Sequence, residues 1–240
     1  DGVFGMESGT PGGVQEHNMW SVFAEDTWDA TQAFAITAGL RRDDHEIFGS
    51  EMSPRLYGVY TLTEQWTIKG GVSTGFKTPK TTQLYDGVVG FGGQGTSPMF
   101  GNPELEPWRA KALDLTYEAY FEGTSYIAAG LFHKKLDSYI YTQNFDFDFS
   151  NAPNNSTVIP ISNIGNMSRP ANGEGGSLRG YELSRSLDLG SFYLPLSGFG
   201  FIGSQSWTDS SIKPDGPNTS TKLPGLSDRV RDLTLYYERD

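Results

Sequence analysis

No cysteine occurs among the 240 residues. That excludes a disulfide framework, a thiolate metal site and a cysteine nucleophile, and it permits an oxidising compartment without requiring one. Long apolar runs are missing too. Nothing approaches the roughly 18–20 consecutive apolar residues of a membrane-spanning helix, and the mean hydropathy is −0.43. Histidine is scarce. His17, His45 and His133 stand far apart, without metal-ligand spacing, so the sequence predicts no resident metal and no cofactor. A hydrolase would need a Ser or Asp paired with a His in a pocket, and no such arrangement is visible, so the chain is read as not an enzyme. Basic charge is outweighed, with 18 Lys and Arg against 29 Asp and Glu, a net of −11, which argues against a nucleic-acid partner. Asp1-Gly2-Val3-Phe4 offers neither the basic start nor the apolar core of a signal peptide. With no initial Met and an ending at Tyr236-Tyr237-Glu238-Arg239-Asp240, the chain is read as a portion of a longer protein.

What is present is alternation. Phe34, Ile36, Ala38 and Leu40 share one parity, and Thr37, Gly39 and Arg41 the other. Trp66, Ile68, Gly70 and Val72 oppose Thr67, Lys69, Gly71, Ser73 and Lys77. Leu113, Leu115, Tyr117, Ala119 and Phe121 oppose Ala112, Asp114, Thr116, Glu118 and Tyr120. A period of two sets one face against an apolar medium and the other against water. Aromatic residues make up 13% of the chain and glycines number 30. Asp29-Ala30-Thr31, Thr63-Glu64-Gln65 and Glu122-Gly123-Thr124 read as tight turns. Between them lie polar links rich in Gly, Asn, Ser and Pro, at residues 79–108, 143–174 and 211–226. Short turns alternating with long loops, and about nine strands of bilayer-crossing length, describe an antiparallel transmembrane barrel. Trp20, Trp28, Trp66, Tyr60 and Tyr117 fall near strand ends, where an interfacial aromatic girdle belongs. A soluble all-β sandwich or jelly roll fits the same strand lengths. Loops of about thirty residues are uncommon in compact domains and favour the barrel.

Two loop motifs fall short of chemistry. Gly92-Gly93-Gln94-Gly95 has no following Lys-Ser/Thr and opens no helix, so it is a loop rather than a phosphate cradle. Asp146, Asp148 and Asn151 have a calcium-loop look but lack the turn Gly and the closing Glu.

The stretch from Ile68 to Trp108 is the most distinctive. It reads Gly70-Gly71-Val72-Ser73-Thr74-Gly75-Phe76-Lys77-Thr78-Pro79, then Gln83-Leu84-Tyr85, Gly93-Gln94-Gly95-Thr96 and Gly101-Asn102-Pro103-Glu104-Leu105-Glu106-Pro107. This resembles the TonB-dependent outer-membrane receptor barrel, in which a strand ending in a GF-(R/K)-x-P motif leads through a loop into GNP-x-L-x-P-E. The Gly93–Thr96 element is most similar to the colicin I receptor and ferric enterobactin receptor branch. Phe23–Trp28, Ala38–Arg41, Ser53–Leu56, Leu131–Ile140, Gly180–Leu183 and Leu223–Ser227 resemble other strands and a loop end of the family. Trp108 departs from the pattern, standing where the family usually has Glu.

The resemblance implies an all-β fold, part of a larger antiparallel transmembrane β-barrel with short periplasmic turns and long extracellular loops. Residues 1–240 would lie within the barrel domain, without the plug, the TonB box or the closing strand. It implies the outer membrane of a Gram-negative bacterium and uptake of a ferric siderophore of catecholate type, with iron as cargo. The implied partners are that siderophore, the TonB–ExbB–ExbD complex acting through the plug, outer-membrane lipid and colicin-like bacteriocins. Other cargoes within the family are haem, cobalamin or an oligosaccharide; a passive or bacteriocin-docking barrel is the alternative of another class. An anionic complex flanked by aromatic rings calls for Arg or Lys beside Tyr, Phe or Trp. The candidate contacts are Arg55 and Lys77, which parity points into the lumen; Lys80, Tyr85, Phe91 and Gln94 in the first long loop; and Tyr141 and Arg169 at the second.

Overall fold

A computed structural model describes residues 16–92, 97–121, 125–148, 164–214 and 220–238. Nine long strands form one antiparallel sheet: β1 (Met19–Thr31), β2 (Phe34–His45), β3 (Gly49–Thr61), β4 (Trp66–Lys77), β7 (Trp108–Tyr120), β8 (Tyr126–Asp137), β11 (Gly176–Asp188), β12 (Phe199–Ile212) and β13 (Arg229–Tyr237). Each pairs with the next in that order, so this sheet is a meander with β1 and β13 at its edges. The expected count of about nine crossing strands agrees with it. Successive Cα partners run without interruption along β7, β8, β11 and β12, so the parity read in one strand carries across the wall.

That register separates two faces. On one lie Trp28, Ile36, Leu56, Tyr60, Ile68, Val72, Leu113, Leu115, Tyr117, Leu131, Tyr181, Trp207, Leu233 and Leu235. Charged residues interrupt this face, among them Asp26, Arg42, Lys111, Lys135, Arg179, Arg185, Asp209 and Arg231. Many of its residues are about half exposed, Leu131 at 59% and Leu235 at 76%, an apolar band suited to lipid. Rings gather near the turns: Phe34 against Tyr60 at 6.1 Å, Trp66 stacked on Tyr117 at 5.2 Å, and Phe199 beside Tyr237 at 4.5 Å. The opposite face carries ion pairs, Arg55 with Glu25 at 3.4 Å and Lys69 with Glu118 at 2.6 Å. It also carries the Thr27–Thr37 hydroxyl contact at 2.9 Å.

The connections differ from the sequence reading in two places. The first turn occupies Gln32 and Ala33, not Asp29–Thr31, because the cross-strand ladder continues to Thr31 opposite Phe34 past an irregularity after Asp29. The Thr63–Gln65 turn is as expected, closed by Leu62 N–H to Trp66 O at 2.9 Å; the expected turn at Glu122–Thr124 lies outside the described residues. The long links are also less loop-like than their composition suggests. Residues 79–108 contain β5 (Val88–Gly92) and β6 (Ser97–Phe100), while the expected link 143–174 contains β10 (Ile164–Asn172) and most of β9 (Ile140–Asp148), which starts before it. These four make a second sheet in the order β5-β6-β10-β9. Its two hairpins are joined by a single parallel bridge, Ser168 to Met99. Glycine and proline mask such short strands in sequence without forbidding them at edges and bulges.

Candidate functional site at the loop end of the wall

Where the wall leaves its neighbours exposed, the loop end buries them. Leu84, Val88, Leu105, Leu136, Tyr139, Met167 and Ile212 are all buried, Met167 at 1% and Leu105 at 2% exposure. They come from both long loops and the adjoining strand ends, so the second sheet is a cap with its own apolar core.

The segment Gly101–Pro107 ties this cap together. Asn102 N–H donates to Gln83 O at 2.6 Å, and its side-chain amide donates to Pro170 O at 3.0 Å while its Oδ1 accepts from Glu104 N–H. Asn172 answers from the other loop. Its Nδ2 donates to Glu106 O and Ser138 O, at 3.0 and 2.8 Å, and its Oδ1 accepts from Glu106 N–H at 2.8 Å. Two asparagines thus satisfy backbone groups up to 68 residues away in sequence, groups that would otherwise be costly to bury. Gly101 is required by closeness, since a Cβ there would lie 2.1 Å from Tyr85 O. Ser138, at φ 52°, holds the left-handed corner between β8 and β9. The most distinctive stretch of the sequence therefore fastens the two loops to each other.

Beside the cap opens a cleft of about 860 Å³, bordered by Trp108, Tyr139 to Asn144, and Ile212, Thr221, Leu223 and Pro224 of the last loop. Tyr141 lines it. By register Tyr141, Gln143, Phe145, Met167 and Arg169 share one face of the β9–β10 hairpin. The Arg169 guanidinium sits 5.2 Å from the Phe145 ring, and its Nε donates to Gln143 Oε1 at 3.2 Å. A cation lying over a ring, itself exposed, can meet an anionic aromatic ligand by charge and stacking together.

The other sequence candidates scatter. Arg55 lies on the ion-pair face as parity predicted, engaged with Glu25 and lying 5.5 Å from the Tyr57 ring. Lys77 ends β4 and borders a notch of about 460 Å³ shared with Arg41, Asp43, Ser53 and Thr74. Lys80 is exposed at the start of a short 3-10 turn, its N–H donating to Gln83 Oε1 at 2.9 Å. Tyr85 is half-buried and its backbone packs on Gly101. Phe91 is half-buried in β5 opposite Pro98. Gln94, Asn151 and the side chain of Asp148 lie outside the described residues. So Tyr141 and Arg169 share one face of a hairpin, while Arg55 and Lys77 belong to the wall and its rim.

Parity alone did not single out Arg41 and Asp43, which meet at 2.7 Å with Asp43 2% exposed. Arg41 also donates to Ser21 Oγ at 3.0 Å. Arg109 bonds Glu51 through Nε at 2.6 Å. Arg41 sits on the polar parity of its strand, whereas Arg109 has the apolar parity and reaches Glu51 only beyond the end of the β3–β4 ladder. Asn102 stands in a conspicuous motif, but the partners of Asn102 and Asn172 lie in distant segments and left no local signal.

Among the described residues no cluster of His, Asp and Glu could hold a metal ion, and no helix is long and apolar enough to cross a membrane, which says nothing of strands.

Comparison with known proteins agrees with this architecture. The family model for "TonB dependent receptor-like, beta-barrel" matches residues 2–240. The chain is 41% identical over 105 residues to the iron-regulated outer membrane virulence protein of Vibrio cholerae, covering 42% of this chain and 16% of that protein. It is 33% identical over 126 residues to the ferric enterobactin receptor of Pseudomonas aeruginosa, 50% of this chain and 16% of the relative. The chain thus spans about a sixth of the length of these curated relatives. The crystal structure of the siderophore receptor PirA from Pseudomonas aeruginosa superposes with a TM-score of 0.71 at 20% identity, over 92% of this chain and 37% of that one, a likeness of fold. The nine-stranded meander, its apolar and ion-paired faces and the family match over almost every residue lead to one assignment: the chain belongs to the TonB-dependent receptor β-barrel family.

Proposed function

We propose that these strands are part of the barrel wall and outer cap of a Gram-negative outer-membrane importer that takes up a ferric siderophore, of catecholate type, driven by the TonB–ExbB–ExbD complex through a plug domain. In this reading the apolar face meets lipid, the ion-paired face lines the lumen, and the cap lies outside the cell. The observation that carries the cargo assignment is the Arg169–Phe145 pair on the same hairpin face as Tyr141, beside the large cleft. A ferric catecholate complex is anionic and edged by aromatic rings, so one guanidinium over one ring meets both properties. The relatives named as ferric enterobactin receptors support the same class. Within it we place the chain in the colicin I receptor branch on the Gly93–Thr96 element, and colicin-like bacteriocins would dock on the same cap. The barrel performs no reaction, and iron passes as cargo.

The test is uptake of radioactive iron by cells whose only candidate importer is the polypeptide carrying this chain, offered ferric enterobactin, a ferric hydroxamate or haem. Uptake from the catecholate alone, abolished by removal of TonB, is expected. Uptake from the hydroxamate or haem instead would overturn the assignment. A second reading, cobalamin import, is favoured by 27% identity over 134 residues to the vitamin B12 transporter BtuB of Vibrio cholerae; competition by cobalamin for the same cap separates the two.

A further inference from the structure

The rim of the wall is divided between β3 and β4. Those strands are partnered from Thr61–Thr67 to Arg55–Ser73 and no farther. Yet β3 stays paired to β2 up to Gly49, and β4 stays paired to β7 up to Lys77. Two strand edges therefore face each other across the notch of about 460 Å³ bordered by Ser53, Thr74, Gly75 and Lys77. Thr74 Oγ1 is buried there without a hydrogen-bond partner among the described residues, which is costly. Pro54 removes one donor from the missing stretch, but the residues beyond it are able to pair. A ladder that is able to run on and does not is held apart by a competing contact.

The competing contact is an ion pair. From β7, one strand beyond β4, Arg109 donates to Glu51 through Nε at 2.6 Å and Nη2 at 3.2 Å. Extending the β3–β4 register sets Ser53 opposite Gly75, Met52 opposite Phe76 and Glu51 opposite Lys77. Opposite charges placed across neighbouring strands attract. Lys77 is exposed and makes no ion pair among the described residues. Arg109 has an alternative as well, because Asp137 stands opposite it on β8 and holds Lys135 only at 3.9 Å. Glu51 thus has two cationic partners, and the partner it would leave has a second carboxylate. Exposed pairs of this kind are each worth little, so the two arrangements lie close in free energy.

We propose that the β3–β4 rim is a two-state closure in which Glu51 exchanges Arg109 for Lys77. In the split state, described above, Glu51 is held by Arg109 and the ladder stops at Arg55. In the zipped state the ladder runs on to Glu51 opposite Lys77, and Arg109 turns to Asp137. Lys77 ends the strand that enters the first long loop, and Arg109 lies at the start of the strand that leaves it. The exchange therefore fastens β3 either to the root of that loop on β7 or to its root on β4. The closure stands on the register of the wall and is independent of the cargo.

The test uses the polypeptide expressed from its gene with all flanking coding sequence, in native outer membranes. Met52→Cys and Phe76→Cys are combined, and formation of that disulfide under mild oxidant is followed by peptide mass spectrometry. Directly opposed strand positions come within reach of a disulfide. Leu56→Cys with Val72→Cys, inside the standing ladder, supplies the reference rate. The 52–76 disulfide is expected to form more slowly than the reference. Arg109→Gln should speed it about fivefold and Lys77→Gln slow it about fivefold, the worth of one exposed ion pair. In a Glu51→Gln background neither substitution should change the rate. Absence of the disulfide in both the parent and Arg109→Gln, with the reference intact, overturns the proposal. Equal rates in all the variants overturn it too, since the rim is then indifferent to the partner of Glu51.

Discussion

The wall and the cap are built from the same kind of strand and stabilised in opposite ways. In the wall, long strands pair with sequence neighbours and leave Leu115, Leu131 and Tyr181 about half exposed, so the surrounding medium supplies the apolar contact. In the cap, short strands from separate loops pair across the chain and bury Met167, Leu105 and Val88 among themselves. A wall strand depends on lipid and on its ladder; a cap strand depends on particular side chains. The wall should therefore tolerate loss of any one polar contact, and the cap should not.

The sharpest break is Gly101→Val. The added carbon would overlap Tyr85 O, so the two loops should separate and cargo binding should be lost entirely. The protein should still reach the outer membrane with wall strands protected from hydrogen exchange. Failure to insert would show that wall and cap fold as one unit. Next is Leu115→Arg in the middle of the apolar face, expected to cost roughly 2–4 kcal/mol of folding free energy in a bilayer. It should leave exchange in the cap unchanged, as equilibrium unfolding in lipid vesicles with local exchange would show. Asn172→Ala removes the contacts to Glu106 and Ser138 and should cost about 1–3 kcal/mol locally. The readout is faster exchange at the Glu106 amide, with wall amides unaffected. Arg169→Ala should weaken ferric enterobactin binding about tenfold with normal exchange throughout, separating a ligand contact from a fastening one.

The smallest effect concerns the turn after β2. His45 ends that strand, 7% exposed, and its Nδ1 accepts from Ile47 N–H at 3.1 Å. His45→Ala removes the acceptor, and exchange at the Ile47 amide should quicken selectively by the loss of one hydrogen bond, about 1 kcal/mol, with the amides of the neighbouring strands unchanged.

Period-two alternation made the wall legible, since each strand there repeats one binary pattern over 9 to 14 residues and pairs with its neighbour. The cap was not legible. β5 and β6 are 5 and 4 residues long, and β10 meets β6 across more than one intervening element. The Gly101–Pro107 motif was conspicuous, but a sequence does not show that Asn102 reaches Pro170. Of the candidate residues, Tyr141 and Arg169 share a face because they lie in one hairpin, and the face Arg55 occupies follows from parity. Tyr85 was read as a cargo contact in the first long loop; it is half-buried there, with its backbone against Gly101.

The ladder between β3 and β4 stops at Arg55 and Ser73. Pro54, with no N–H to donate, stands at the next position, while β4 stays paired to β7 through Lys77. The notch between them is crossed by the Arg109–Glu51 ion pair. Mechanically this is a slit in a sleeve. Tension on the first long loop runs down β4 and β7 together; at the rim it reaches β3 through the salt-sensitive Arg109–Glu51 tie, and the β3–β4 ladder shares the load only from Arg55 toward the turn.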